Sequence, residues 1–128
     1  MSVDNDISGV VEAYCRGMHE GSETLLRSVF HPGASIIGTF SNFSISSGLD
    51  QFVGGLCAGP SPASEGFELE FEILETRVDY PLASVVVTDA LRDMRFTDHL
   101  VLIHLDGRWQ IAGKAFATEA ALPASARG

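Results

Sequence analysis

At 128 residues the chain has the length of one domain, and a chain of that size buries about two-thirds of its unfolded surface. A hydrophobic fraction of 45% with 20% charged residues excludes a disordered chain. The net charge of −9 and pI near 4.6, with seven scattered arginines and a single lysine, argue against nucleic acid and anionic membranes as partners.

In chain order, residues 7–20 read as an amphipathic helix. Ile7, Val10, Val11, Tyr14, Cys15 and Met18 follow helical spacing. Asp4 to Asp6 offer an N-cap, and Gly21 ends the helix. Ser22 caps a second short helix with Leu25, Leu26, Val29 and Phe30 inward, which His31-Pro32-Gly33 stops. Residues 35–43 read as one strand. Residues 48–57 read as a weaker helix with Leu49, Phe52, Val53 and Leu56 on one face. Residues 58–66, AGPSPASEG, are a loop by composition and are expected to be a flexible segment or lid. Phe67, Leu69, Phe71 and Ile73 alternate with three glutamates, as in a half-buried strand. Asp79-Tyr80-Pro81 breaks that strand, residues 82–91 form the next, and Arg92-Asp93-Met94 turns into a final hairpin over residues 95–116. Residues 120–128 are expected to be a frayed tail.

The order of helix, helix, strand, helix, then four strands predicts a single α+β domain over residues 1–128. Its sheet is an antiparallel, strongly curved one wrapped around three N-terminal helices, with a hollow between the layers. No apolar run approaches the roughly 20 residues of a membrane span. The polar start MSVDNDIS predicts no signal peptide. Cys15 and Cys57 have no metal or redox spacing, so a cytoplasmic setting is expected.

The hairpin carries the functional expectation. Lys114 is the only lysine, and a buried acid or amine is expensive unless paired. A three-residue Leu105-Asp106-Gly107 loop with a bulge pairs His104 with Arg108 and sets Asp98 opposite Lys114. Asp98, Leu100, Leu102, His104, Gln110, Ala112, Lys114 and Phe116 then share a pocket wall. His99, Val101, Ile103, Trp109, Ile111, Gly113 and Ala115 take the outer face. A two-residue Asp-Gly turn would instead slip the second strand by one and move every side chain on it to the other face. The bulged register is preferred. The histidines lack metal-ligand spacing, and no phosphate loop or Ser-His-Asp signature is present. No metal or cofactor is expected.

The pieces LLRSVFHPGA (25–34), RFTDHLVLIHLDGRWQI (95–111) and GKAF (113–116) resemble the nuclear transport factor 2-like superfamily, which includes ketosteroid isomerase and the SnoaL-like cyclases. The resemblance is greatest to the putative lumazine-binding branch. It implies a cone-shaped (cystatin-like) fold with a pocket between sheet and helices. It also implies a homodimer through the outer sheet face, here Val101, Ile103, Trp109 and Ile111. Tyr14 and Asp98 match the isomerase's oxyanion-hole Tyr and protonated Asp. The isomerase's base should fall near Gly38-Thr39-Phe40, where no carboxylate stands, so that route is not expected. Three readings follow, in order. The first is a small-molecule binder with an apolar pocket and a polar floor, using Lys114, His31, Phe40, Phe52, Leu100 and Phe116. The second is an acid–base enzyme with Asp98 and Tyr14 as catalytic groups. The third is a dimer scaffold without ligand.

Overall fold

The computed structural model describes residues 2–40 and 42–118, so the expected tail at residues 120–128 lies outside the described residues. The architecture is α+β. Helix α1 spans Val3–Glu20, α2 Glu23–Val29 and α3 Leu49–Leu56. The strands are β1 Phe30–Phe40, β2 Phe43–Gly48, β3 Phe71–Asp79, β4 Leu82–Leu91, β5 Met94–Leu105 and β6 Arg108–Thr118. They form one curved, unclosed sheet in the order β2-β1-β6-β5-β4-β3. The sheet is mixed, because β1 runs parallel to β6 while every other neighbouring pair is antiparallel.

Local chemistry places the helices. Ser2 caps α1 by accepting from the Asn5 amide at 3.1 Å, so the helix starts four residues before the expected Ile7, and Asp4 and Asp6 sit in its first turn. Gly21 closes it at φ 62°, a left-handed position that suits glycine. Ser22 caps α2 through the Leu25 amide. That helix ends at Val29, and Phe30 already belongs to β1. The stretch read as one strand over residues 35–43 is a hairpin of β1 and β2, with Phe40 paired to Phe43.

The segment 58–66 is tied to the rest of the fold at several points. Pro62 is buried, the Ala63 amide donates to His19 O at 3.0 Å, and Arg92 holds both Glu65 and the Pro60 carbonyl. None of these residues lines the cavity described below.

The final hairpin departs from the expected register in an informative way. Its turn has two residues, with Asp106 at φ 53° and Gly107 at φ 78°. Two successive left-handed residues make a type I′ turn, which matches strand twist and favours Asp-Gly. Leu105 therefore pairs with Arg108 and Leu102 with Ile111. Trp109 and Ile111 fall on the inner face and are buried, not on the outer face as expected. The register then shifts, because Ala112 has no partner and Val101 pairs with Gly113. That bulge resets the alternation. Leu100 lies opposite Lys114 and Asp98 opposite Phe116, so Asp98 and Lys114 are offset by two residues and share the inner face. The β1–β6 pairing is also irregular there, passing from Phe30–Ile111 directly to Ser35–Gly113.

The main core packs Ile7, Val11, Tyr14, Leu26, Phe30, Val85, Val87, Leu100, Leu102 and Ile111 between helices and sheet. A smaller cluster of Ile36, Phe96 and Phe116 sits beside it. Deleting Ala112 is expected to throw Lys114 and Phe116 onto the outer face and abolish cooperative unfolding, whereas Ala112→Gly shifts stability by about 1 kcal/mol or less. Urea titration followed by circular dichroism checks both; a cooperative transition in the deletion variant would refute the phase role of Ala112.

Candidate functional site

Four inward-pointing side chains meet where α1 crosses the sheet. Tyr14, on the buried stripe of α1, donates its hydroxyl to Asp98 Oδ2 at 2.6 Å. Lys114 Nζ donates to the same hydroxyl at 2.5 Å and reaches Met18 Sδ at 3.5 Å. The ammonium also lies 4.8 Å from the ring centroids of Tyr14, Phe52 and Phe116, a cation–π setting. Tyr14 thus stands between the acid and the amine as the shared hydrogen-bond partner. Burial, with Asp98 and Asp89 nearby, pushes its phenol well above the ordinary value, so it stays a neutral donor.

Asp89 on β4 is the fourth member, and the sequence reading did not single it out. Ala83, Val85, Val87 and Asp89 are all buried, so Asp89 continues an apolar stripe on an inward strand face. That period-two run was visible in the sequence and would have found it. Its carboxyl is pushed up to about 9, first by burial and then by its hydrogen bond to Asp98. Among the described residues no side chain or backbone group donates to Asp89 Oδ2 or Asp98 Oδ1. A proton held on Asp89 gives that carboxyl a hydrogen bond to Asp98.

Above this floor lies a cavity of about 440 Å³, within the roughly 300–1,000 Å³ range of small-molecule sites. Phe40, Phe52, Phe96, Phe116, Ile45, Leu56 and Leu91 supply apolar wall, while Asp89, Asp98 and Lys114 supply the polar end. Phe43, Ser46, Gln51 and Gly55 also line it and are exposed, which puts the mouth between β2 and α3. Gly38 leaves room for a ring: a Cβ there would lie 2.2 Å from Phe116 Cε1.

Of the expected site residues, Tyr14, Asp98 and Lys114 converge, and Phe40, Phe52 and Phe116 line the cavity. Leu100 and His31 do not join them. Leu100 faces inward but is buried in the main core, 1% exposed. His31 is half-buried at the start of β1, where its Nδ1 accepts from the Gly33 amide at 2.9 Å and ties down the His-Pro-Gly turn. The contributions of Phe43, Ile45 and Ser47 were hidden because β2 was not recognised. Burial pushes the Cys15 thiol up, so it is no nucleophile. Among the described residues no three His, Cys, Asp or Glu side chains are grouped to hold a metal, and no helix is long and apolar enough to cross a membrane.

The raised Asp89 carboxyl makes stability depend on pH. The unfolded chain releases this proton near pH 4, while the fold keeps it to about 9. The contribution is therefore fully present below about pH 4 and is lost as pH rises towards 9, by at most about 1.4 kcal/mol per unit. Asp89→Asn, which keeps a donor towards Asp98, is expected to be more stable than the wild type at pH 8 and to converge with it towards pH 4. Urea midpoints across that range check this; a stability difference independent of pH would mean that Asp89 is ionised in the fold.

Residues 2–117 match the family described as putative lumazine-binding. No curated protein matches the chain. Among solved structures, a nuclear transport factor 2-like protein of unknown function from Silicibacter pomeroyi is 21% identical, with a TM-score of 0.83, over 93% of this chain and 100% of that one. A nuclear transport factor 2-like protein of unknown function from Methylobacillus flagellatus is 23% identical, TM-score 0.77, over 94% and 96%. A domain of unknown function with a cystatin-like fold from Nostoc punctiforme is 19% identical, TM-score 0.73, over 95% and 82%. At these identities the structures speak for the fold. The match of nearly every described residue to one family, on that fold, settles the placement: the chain belongs to the putative lumazine-binding family of the nuclear transport factor 2-like superfamily.

Proposed function

We propose that this protein binds a small, largely apolar molecule in the hollow between α1, α3 and the sheet, with the polar end of the molecule on the floor formed by Tyr14, Asp98, Asp89 and Lys114. The observation that carries this reading is the floor itself. Two carboxyl groups and an amine at the end of an aromatic-walled cavity are expensive to bury and do little for packing. A pocket with few, convergent polar groups is the arrangement by which proteins orient small ligands.

A second reading, an acid–base enzyme, draws support from Asp89, a neutral carboxyl at the cavity wall. The steroid-isomerase route has no support, since the place of its base is taken by Gly38 with the Phe116 ring packed against it. We also assign a second copy of this chain to the outer sheet face. That face is smaller than expected without Trp109 and Ile111, but Ile37, Leu82 and Val101 are about half exposed on it. Val101→Asp is expected to lower the sedimentation coefficient from dimer to monomer, and a wild-type monomer would remove the assignment.

The binding experiment uses 2-naphthalenemethanol as a neutral aromatic probe, followed by its fluorescence. Wild-type protein is expected to bind it saturably and return it chemically unchanged. Altered probe would favour the enzyme reading. Gly55 lines the mouth and has open space where a Cβ would stand. Gly55→Leu should therefore narrow the entrance and weaken binding about tenfold while leaving the urea midpoint unchanged or slightly raised. Failure of the wild type to bind in a saturable way would overturn the proposal.

A further inference from the structure

The floor of the cavity is one positive charge short. Among the described residues the buried charged side chains are Asp89, Asp98 and Lys114, two acids against one amine. Lys114 is partnered through the Tyr14 hydroxyl to Asp98. Asp89 has no such bridge. Its Oδ2, and Oδ1 of Asp98, are buried without a donor among the described residues, and both residues line the cavity. Two carboxylates with donor-less oxygens at the wall of an apolar hollow favour a positive partner. With the cavity empty, the proton held on Asp89 meets that demand.

A cationic ligand would meet it as well, and the walls say which kind. No third His, Cys, Asp or Glu is grouped with the pair to complete a metal site. The rest of the lining near the floor is aromatic, and ring faces attract organic cations while an alkyl or aryl body fills apolar space. We propose that the cavity takes a small organic ammonium ion, its charge seated against the carboxylates of Asp89 and Asp98 and its apolar body against Phe40, Phe52, Phe96 and Phe116. This rests on the reading of the hollow as a ligand site and adds the charge of the ligand.

Binding is then an exchange of cations. The ammonium group donates to the two carboxylates, and the proton they shared leaves to solvent, so the charge of the site is conserved. The groups that bear on Asp89 are Asp98 and Arg95 from β5, Lys114 from β6, and Tyr14 and Cys15 from α1. Of the two cations, Arg95 is half exposed and bonds Glu70 at 3.1 Å, and Lys114 is engaged with Tyr14. The overall charge of −9 further favours entry of a cation over an anion.

The test uses three probes of one shape: 2-naphthylmethylamine, 2-naphthalenemethanol and 2-naphthoic acid. Calorimetric titrations at pH 7.5 are run in two buffers of different ionisation enthalpy. The amine is expected to bind at least about tenfold tighter than the alcohol, the acid weakest, and binding of the amine to release about one proton. In Asp89→Asn the advantage of the amine should fall to about threefold or less, with no proton released. Proton release is read on the wild-type protein, so the outcome does not depend on the variant folding. Alcohol or acid binding as tightly as the amine, or amine binding without proton release, overturns the inference and leaves the ligand site standing. Binding by none of the three overturns both.

Discussion

The alternation of side chains along β6 governs this molecule. A strand cannot choose faces residue by residue, because its period is two. Yet β6 has to deliver Trp109 and Ile111 to the core and then Lys114 and Phe116 to the cavity, and those pairs differ in parity. One unpaired residue, Ala112, reconciles them. The same point carries the irregular passage of β1 through His31-Pro32-Gly33-Ala34, so two strands lose register side by side. Bulges bend sheets and sharpen their twist. The defect that sets the phase of the floor thus sits where a bend opens space between sheet and helices.

Tyr14 makes the floor one unit. It belongs to α1, while its partners Asp98 and Lys114 belong to β5 and β6. Its ring packs edge-on against Phe30 at 5.8 Å, and Phe30 in turn meets Phe52 of α3 at the same separation. The contact that satisfies the buried charges therefore also registers the helices on the sheet. Gly38 and Phe116 do the complementary work on the opposite wall. Absence of a side chain on β1 lets the β6 ring lie flat against backbone, which keeps it from filling the hollow.

Much of this was legible in the sequence, and the exceptions have physical causes. Helical spacing located α1 to α3 within a few residues, although α1 is capped by Ser2 and not by the expected Asp4 to Asp6. The lone lysine and a buried-parity aspartate pointed to the floor, although the expected pairing of Asp98 with Lys114 was off by two residues. An error of two preserves the face, which is why the right groups met for a partly wrong reason. The turn was misjudged because Leu-Asp-Gly fits both a bulged loop and a type I′ turn. Strand β2 was missed because FSISSG is rich in serine and lacks the apolar run of a typical buried strand. Asp89 escaped notice because it stands three residues before the polar turn at Arg92. A charged residue so near a turn reads as loop, although it continues the buried stripe of Ala83, Val85 and Val87.

The composition of the floor bears on why it exists. Isosteric apolar residues in place of a buried ion set are often neutral or stabilising, so stability alone gives little reason for two carboxylates and an amine in this core. Fold specificity gives little more, since the phase of β6 is already held by Ala112 and by the Trp109 and Ile111 contacts. The carboxylate oxygens left without a donor are turned neither into a strand ladder nor into a helix cap. Their residues, Asp89 and Asp98, line a cavity whose remaining surface is mostly ring and aliphatic carbon, open between α3 and β2. The proposed ligand site accounts for a polar set that adds little to packing and keeps carboxylate oxygens without a donor among the described residues.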